Sequence, residues 1–177
     1  MVAGLLFDFI RLAGDEGFID LARPLDDLGI VTELEQAAFL PAEAASRERM
    51  EQRLLYFPNH FHLMFNGDVL VSYISAMPSD ERDLRDEMYA DARLQDELGS
   101  WEMIFSVATL PSYQHLGIAS QLMRSYLEST REQGRKGIVL TCKEKLVGFY
   151  ARFGFVDEGM SDSSHGGATW YQMRLVF

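Results

Sequence analysis

The chain has 177 residues, about one domain's worth, with 47% hydrophobic and 24% charged residues, a globular balance that excludes disorder over most of its length. A net charge of -11 argues against nucleic acid as a partner, since its phosphates would be repelled. The single cysteine, Cys142, excludes an intramolecular disulfide and a multi-cysteine metal site, and no stretch approaches the ~18 apolar residues of a membrane span.

The opening MVAGLLFDFIRL lacks a positive region, and Asp8 interrupts its apolar run, so no secretory signal is expected and the chain is read as cytoplasmic. Leu5, Leu6, Phe9, Ile10 and Ala13 fall at helical spacing and predict a short amphipathic helix. Residues 1–17 are therefore expected to form an N-terminal extension to a single domain at 18–177. Phe18 to Arg23 reads as a strand. A helix follows from Asp26-Asp27 to about Phe39, and a second runs from Pro41 to about Leu55. His60–Phe65 and Val69–Ser75 are strands joined at Asn66-Gly67, a hairpin signal. Residues 79–97 carry eight carboxylates and read as a solvated helical or irregular insertion.

Trp101–Ala108 is strand-like, with Trp101, Met103, Phe105 and Val107 on one face. Residues 117–133 form the clearest helix, with Ile118, Leu122, Met123, Tyr126 and Leu127 on one stripe and Gly134 at its end. Gly137–Thr141 is a buried strand. Leu146, Val147, Tyr150 and Phe153 share a helical face, and Phe155–Glu158 and Ala168–Phe177 close the sheet. The order is mixed α/β, without repeats.

The turn before the helix at 117 holds Gln114, Gly117 and Ala119. Orphan N–H groups in a first helical turn favour an anion. Gly117 permits close approach, and small Ala119 and Ser120 leave room, so the turn suits a pyrophosphate. Residues 114–152 carry 7 basic and 3 acidic side chains, a cationic segment within an acidic chain.

The run Gln114-His115-Leu116-Gly117-Ile118-Ala119, between a strand and an amphipathic helix, resembles the acetyl-coenzyme A motif of the GNAT superfamily. The run Leu146-Val147-x-Phe149-Tyr150-x-x-Phe153-Gly154-Phe155 resembles the arylalkylamine (serotonin-type) N-acetyltransferases. The ending His165-Gly166-Gly167…Trp170-Tyr171-x-Met173 is similar to their bacterial and fungal members. The resemblance covers about residues 18–177. It implies a mixed sheet of about six to seven strands, splayed in the middle, with four to five flanking helices.

The resemblance also implies acetyl-CoA as co-substrate, with no metal. Val107, Ala108 and Thr109 would contact the pantetheine arm, and Gln114, His115, Leu116, Gly117, Ile118, Ala119 and Ser120 would cradle the pyrophosphate. It implies acetyl transfer to a primary amine, arylalkylamine or polyamine-like, by direct attack. Amino acid, aminoglycoside or peptide acceptors, and a non-catalytic CoA sensor, stand as alternatives.

Tyr150 matches the family tyrosine beside the sulfur, a proton source for the departing thiolate. The two histidines of the animal enzymes are replaced here by Met103 and Phe105, an apolar wall suited to the acceptor. The base then falls to Glu102, if a β-bulge turns it inward, or to Glu33, Glu35 or a water relay. His165 is a candidate substrate contact. His60 and His62 lack a third metal ligand. Partners are expected to be a small-molecule amine and a second copy of the chain, with neither nucleic acid nor membrane.

Overall fold

The computed structural model describes residues 9–12, 15–23 and 26–177. Among these, the strands are β1 (Phe9–Leu12), β2 (Asp15–Leu21), β3 (Phe61–Asn66), β4 (Val69–Ser79), β5 (Trp101–Thr109), β6 (Gly137–Cys142), β7 (Val156–Met160) and β8 (Tyr171–Val176). They form one sheet in the order β1-β2-β3-β4-β5-β6-β8-β7. Five α-helices accompany it: α1 (Leu28–Ala38), α2 (Arg47–Tyr56), α3 (Asp86–Ala90), α4 (Ile118–Glu132) and α5 (Val147–Ala151).

The architecture is the expected mixed sheet, one strand larger. The additional strand is β1, whose residues 9–12 pair antiparallel with β2 where the periodicity had suggested a helix over 5–13. Four residues are too few to separate the two periods, and pairing with a neighbouring strand decides the outcome. The rest of that predicted helix, at 5–8 and 13, lies outside the described residues.

Only β5 and β6 run parallel, and their register spans Trp101–Ile104 against Gly137–Leu140. Beyond Ile104, β5 has no partner on the β6 side. The cause is local. Between β4 and β5, Ser75 pairs with Ser106 but Ala76 with Ile104, so Phe105 is the extra residue of a β-bulge. A bulge bends its strand and sharpens the twist. The two strands therefore diverge into a V, opening toward Thr109 and Cys142. At the closed end the strands are held close at Gly137, where a Cβ would fall 2.0 Å from the Leu175 carbonyl oxygen and 2.8 Å from the Trp101 ring.

Two cores sandwich the sheet. On one face α1 and α2 bury Leu28, Val31, Leu34, Met50 and Leu54 against Phe61, Tyr73, Met77 and Met103. On the other, α4 buries Ile118, Leu122, Met123 and Tyr126 against Ile74, Ile104, Ile138 and Leu140, and Tyr150 of α5 joins them. The buried stripe of α4 is the one its sequence predicts, and each such side chain contributes roughly 1.5–3 kcal/mol of transfer free energy.

The acidic insertion at 79–97 contains α3 and a short 3-10 turn; most of its carboxylate residues are exposed, as expected, and several of them also bond to other parts of the chain. Asp86 accepts hydrogen bonds from the Ser163 hydroxyl (2.5 Å) and the Ser164 amide (3.1 Å). Asp83 pairs with Arg174 at 2.7 Å, and Asp80 accepts from the Ser100 hydroxyl at 2.7 Å. The Asp86 and Asp83 bonds fasten the insertion to the β7–β8 limb, and the Asp80 bond ties its start to the residue before β5.

Candidate active site

The site is built on the open part of the V. On the β5 limb, Val107, Ala108 and Thr109 pair with β4 on one side and present an unpaired edge on the other. Such an edge offers backbone donors and acceptors to an extended ligand arm. Ser72 fixes this limb from behind, donating to the Ala108 carbonyl at 2.7 Å and lying 2.9 Å from the Thr109 hydroxyl oxygen.

The strand then turns into α4 through residues 110–117. Gly117 is the helix N-cap, with φ +82 and no side-chain cap on the first turn. His115 also takes a left-handed conformation, φ +61. A Cβ added at Gly117 would meet no atom within 4 Å, so the space beside it is open to a ligand. The first-turn amides up to Ser120 point that way, and the earliest internal bond is Gln121 N to the Gly117 carbonyl. Gln114, His115, Leu116 and Gly117 are exposed, Ala119 and Ser120 half-buried, and Ile118 anchors the turn in the core. Gln114 braces the loop by donating to the Thr109 carbonyl at 3.2 Å. This arrangement fits a pyrophosphate group: an uncapped helix start, an accessible loop and no Cβ in the way.

On the other limb, Tyr150 of α5 is 6% exposed, and its hydroxyl makes no side-chain hydrogen bond among the described residues. Burial pushes the phenol well up, with Cys142 and Tyr89 nearby adding to the shift, so it stays protonated across the physiological range. Cys142 ends β6, is 2% exposed, and burial raises its thiol to about 12. A thiol so suppressed is no nucleophile at neutral pH.

The face of β5 toward α1 holds Met103 and Phe105, as alternation predicts. Met103 is wholly buried and only backs the wall, whereas half-buried Phe105 remains at the surface of the cleft. Glu102 keeps the opposite face. The bulge lies at Phe105, three residues too late to turn it inward. Its side chain is 1% exposed, 2.9 Å from both His60 and the Tyr126 hydroxyl and 3.2 Å from Arg135. His60 bridges Glu102 to Glu97 (3.1 Å). Burial works against its charge, but the two carboxylates outweigh it and raise its pKa. A cavity of about 620 Å³ opens beside this network, at the closed end of the sheet and away from the V.

Four further residues, three of them unmarked by the sequence patterns, converge near Phe105. Because both bulge residues turn the same way, Ser106 also faces α1 and donates to Glu35 Oε1 at 3.4 Å. Glu35 is 2% exposed, accepts the Ala45 amide at 2.9 Å and receives a short bond from the Tyr73 hydroxyl. Arg53 of α2 places its guanidinium 4.6 Å from the centre of the Phe105 ring. Tyr89 of α3 spans the mouth. Its ring lies 4.8 Å from both Phe105 and His165, and its hydroxyl is 3.1 Å from Thr141 of β6. His165 lies 2.9 Å from the Glu43 carbonyl and leans on Trp170, so the loop at 161–170 borders the same region. Arg53 was legible in one respect, since it occupies the apolar stripe of α2 with Met50, Leu54 and Phe57. Glu33 does not join the cluster.

The cationic segment is partly spent on the fold. Arg135 pairs with Glu97 and Glu102, and Lys143 with Glu43 at 2.6 Å. Arg124 and Arg152, by contrast, lie over surface rings flanking α4 and α5. Among the described residues no three histidine, cysteine, aspartate or glutamate side chains assemble a metal site, and no helix is long and apolar enough to cross a membrane.

Comparison with known proteins agrees with this geometry. The loading GNATL domain of CurA from Lyngbya majuscula superposes with a TM-score of 0.78 at 15% identity, covering 90% of this chain and 97% of that one. The ribosomal-protein-S18-alanine N-acetyltransferase of Escherichia coli gives 0.67 at 15%, covering 90% and 93%. A GNAT family acetyltransferase from Brucella melitensis, solved in complex with acetyl-CoA, gives 0.59 at 21%, covering 91% and 88%. Among curated proteins none matches the chain significantly. Residues 27–177 match the family described as acetyltransferase (GNAT) domain, and the chain belongs to that family.

Proposed function

We propose that the protein is an N-acetyltransferase that moves the acetyl group of acetyl-CoA to a small primary amine by direct attack in a ternary complex. One observation carries this reading: the V between β5 and β6 holds an anion cradle at 114–120 and, on its other limb, a buried phenol without a partner, Tyr150. Acetyl-CoA supplies a thioester, whose carbonyl accepts a nucleophile and whose sulfur leaves.

The chain's own groups complete the chemistry. Val107, Ala108 and Thr109 align the pantetheine arm along the unpaired edge of β5. An ammonium near pKa ~10 must first lose a proton. The route we assign runs through the Ser106 hydroxyl to Glu35, which lie 3.4 Å apart on the acceptor face. Glu102 is given no part, because its carboxylate is enclosed by Tyr126, His60 and Arg135 on the far face. As the N–C bond forms and the C–S bond breaks, Tyr150 donates its proton to the sulfur. The second amine proton restores the phenol through solvent. Backbone N–H groups on β5 are placed to receive the carbonyl oxygen as it gains charge. Phe105, Tyr89 and His165 line the acceptor side, in keeping with an aromatic or aliphatic amine.

Thiol release from acetyl-CoA over arylalkylamines, polyamines, amino acids and short peptides tests the reading. We expect turnover with a small-amine class. Tight CoA binding with no release for any acceptor would favour a non-catalytic sensor, and peptide-only turnover would overturn the small-amine assignment.

A further inference from the structure

Arg53 is the least satisfied charge in the protein's described residues. Its side chain is 4% exposed, and Nη2 makes its one hydrogen bond, to the Tyr89 carbonyl at 3.1 Å. Nε is fully buried without a partner, and no carboxylate lies within ion-pairing distance among the described residues. Burial of this kind disfavours the charge, and the negative charge of Glu35 offsets it from beyond contact distance. A guanidinium has five donors in a fork that matches a carboxylate. A largely buried fork with most of its donors unused within the protein, stacked on the Phe105 ring at the wall of the acceptor cleft, is suited to receive an anion.

The neighbouring charge defines the rest of the ligand. Glu35 is the only acid of the cluster, and it reaches the cleft through Ser106. An α-amino acid presents an ammonium and a carboxylate on one carbon, close together and opposite in sign. Its carboxylate would fill the unused donors of Arg53, while its ammonium would lie at Ser106, beside the already hydrogen-bonded Glu35. Phe105 and Tyr89 remain for an apolar side chain. Resting on the acetyltransferase reading, we propose that Arg53 recognises a carboxylate brought into the cleft, and that the acceptor is an α-amino acid. Tyr89 is the gate in this arrangement. Its carbonyl holds the guanidinium and its hydroxyl closes on Thr141, so the five-residue α3 gives way as the carboxylate takes the Tyr89 carbonyl's place.

The test compares acceptors that differ only in the carboxylate, phenylalanine against phenethylamine and leucine against isoamylamine, by thiol release from acetyl-CoA. Leaving a charged donor without its anion is worth about 10- to 100-fold in selectivity. The wild type should prefer the amino acid by at least about tenfold in kcat/KM. Arg53→Gln should abolish that ratio, and Arg53→Lys should restore part of it. A merely structural Arg53 would lower both members of each pair equally, which overturns the proposal. Should Arg53→Gln fail to fold, calorimetry on the wild type with CoA decides: N-acetylphenylalanine must bind more tightly than N-acetylphenethylamine. Equal binding overturns it. Malonyl-CoA, offered with phenethylamine, places the carboxylate on the acyl group instead. Arg53-dependent turnover or CO₂ release there, without an amino-acid preference, assigns the anion to the donor and overturns the acceptor class. Loss of all acetyl-CoA turnover would sink the transferase reading itself, whereas turnover of amines without preference sinks only the role of Arg53.

Discussion

Tyr150 and Glu35 stand on opposite faces of the sheet, Tyr150 in the α4 core and Glu35 under β5 at Ser106. Their assigned roles separate in kinetics. Tyr150→Phe removes only the proton donor, so kcat should fall about 10²-fold while acetyl-CoA affinity, measured by calorimetry, changes little. Glu35→Gln should lower kcat/KM for the amine about 10²- to 10³-fold near neutral pH. Activity should recover as pH approaches the amine's own pKa, because the base is then no longer needed. The burial of Tyr150 on the inner face of its helix was legible from its spacing with Leu146 and Phe153, and its proposed role rests on the pattern of its flanking aromatics. Glu35 was one choice among several in the sequence. We single it out because the Phe105 bulge brings Ser106 round to α1, within hydrogen-bond reach of Glu35.

The two buried histidines titrate in opposite senses. Burial, and to a lesser degree His60, depress His62 to about 4, so it is neutral in the folded chain. Its contribution to stability is full above its unfolded value near 6.5 and is lost as pH falls from there toward 4. His60, raised by Glu102 and Glu97, contributes below its unfolded value and loses that contribution as pH rises through the higher folded one. Urea unfolding at pH 7 and about pH 4.5 should therefore cost the wild type about 2 kcal/mol more than His62→Phe, whose ring fills the same place beside Tyr126.

At the scale of elements, the turn into α4 is where a backbone conformation serves the ligand more than the fold. Gly117 has a left-handed φ and open space where a Cβ would stand. Gly117→Val there adds strain of about 1–2 kcal/mol without a clash inside the protein. The larger loss is expected in the cradle, with KM for acetyl-CoA rising at least tenfold while the melting temperature moves only a few degrees. The strand, glycine turn and helix were readable in order, because period, turn chemistry and capping agree there. β1 was not. Its residues suit either period, and its strand state depends on β2, which is a tertiary fact. Six of the eight carboxylate residues at 79–97 are exposed, as the sequence suggests, but a sequence does not show that Ser163, Ser164 and Arg174 return to Asp86 and Asp83. Asp86→Ala should lower stability by about 1–3 kcal/mol and loosen 161–165, detectable as faster amide exchange in that loop.

Across the whole molecule, the charge distribution separates functions. The protein is acidic overall, net -11, while residues 114–152 together carry 7 basic and 3 acidic side chains, the excess lying after α4, which is itself balanced by Arg124 and Arg131 against Glu128 and Glu132. That asymmetry was plain from the sequence. The division of labour within it was not: Arg135 and Lys143 are held in ion pairs, leaving Arg124, Arg131, Lys136, Lys145 and Arg152 exposed. The one cysteine is the remaining whole-molecule constraint on mechanism. With its thiol raised to about 12 by burial, Cys142 offers no route through an acylated enzyme. Acetyl-CoA and the amine are therefore expected to be bound together when the acetyl group moves. Initial velocities measured over a grid of both concentrations test this most directly. Intersecting double-reciprocal lines are the predicted result, and parallel lines, the mark of a ping-pong acyl-enzyme, would contradict it.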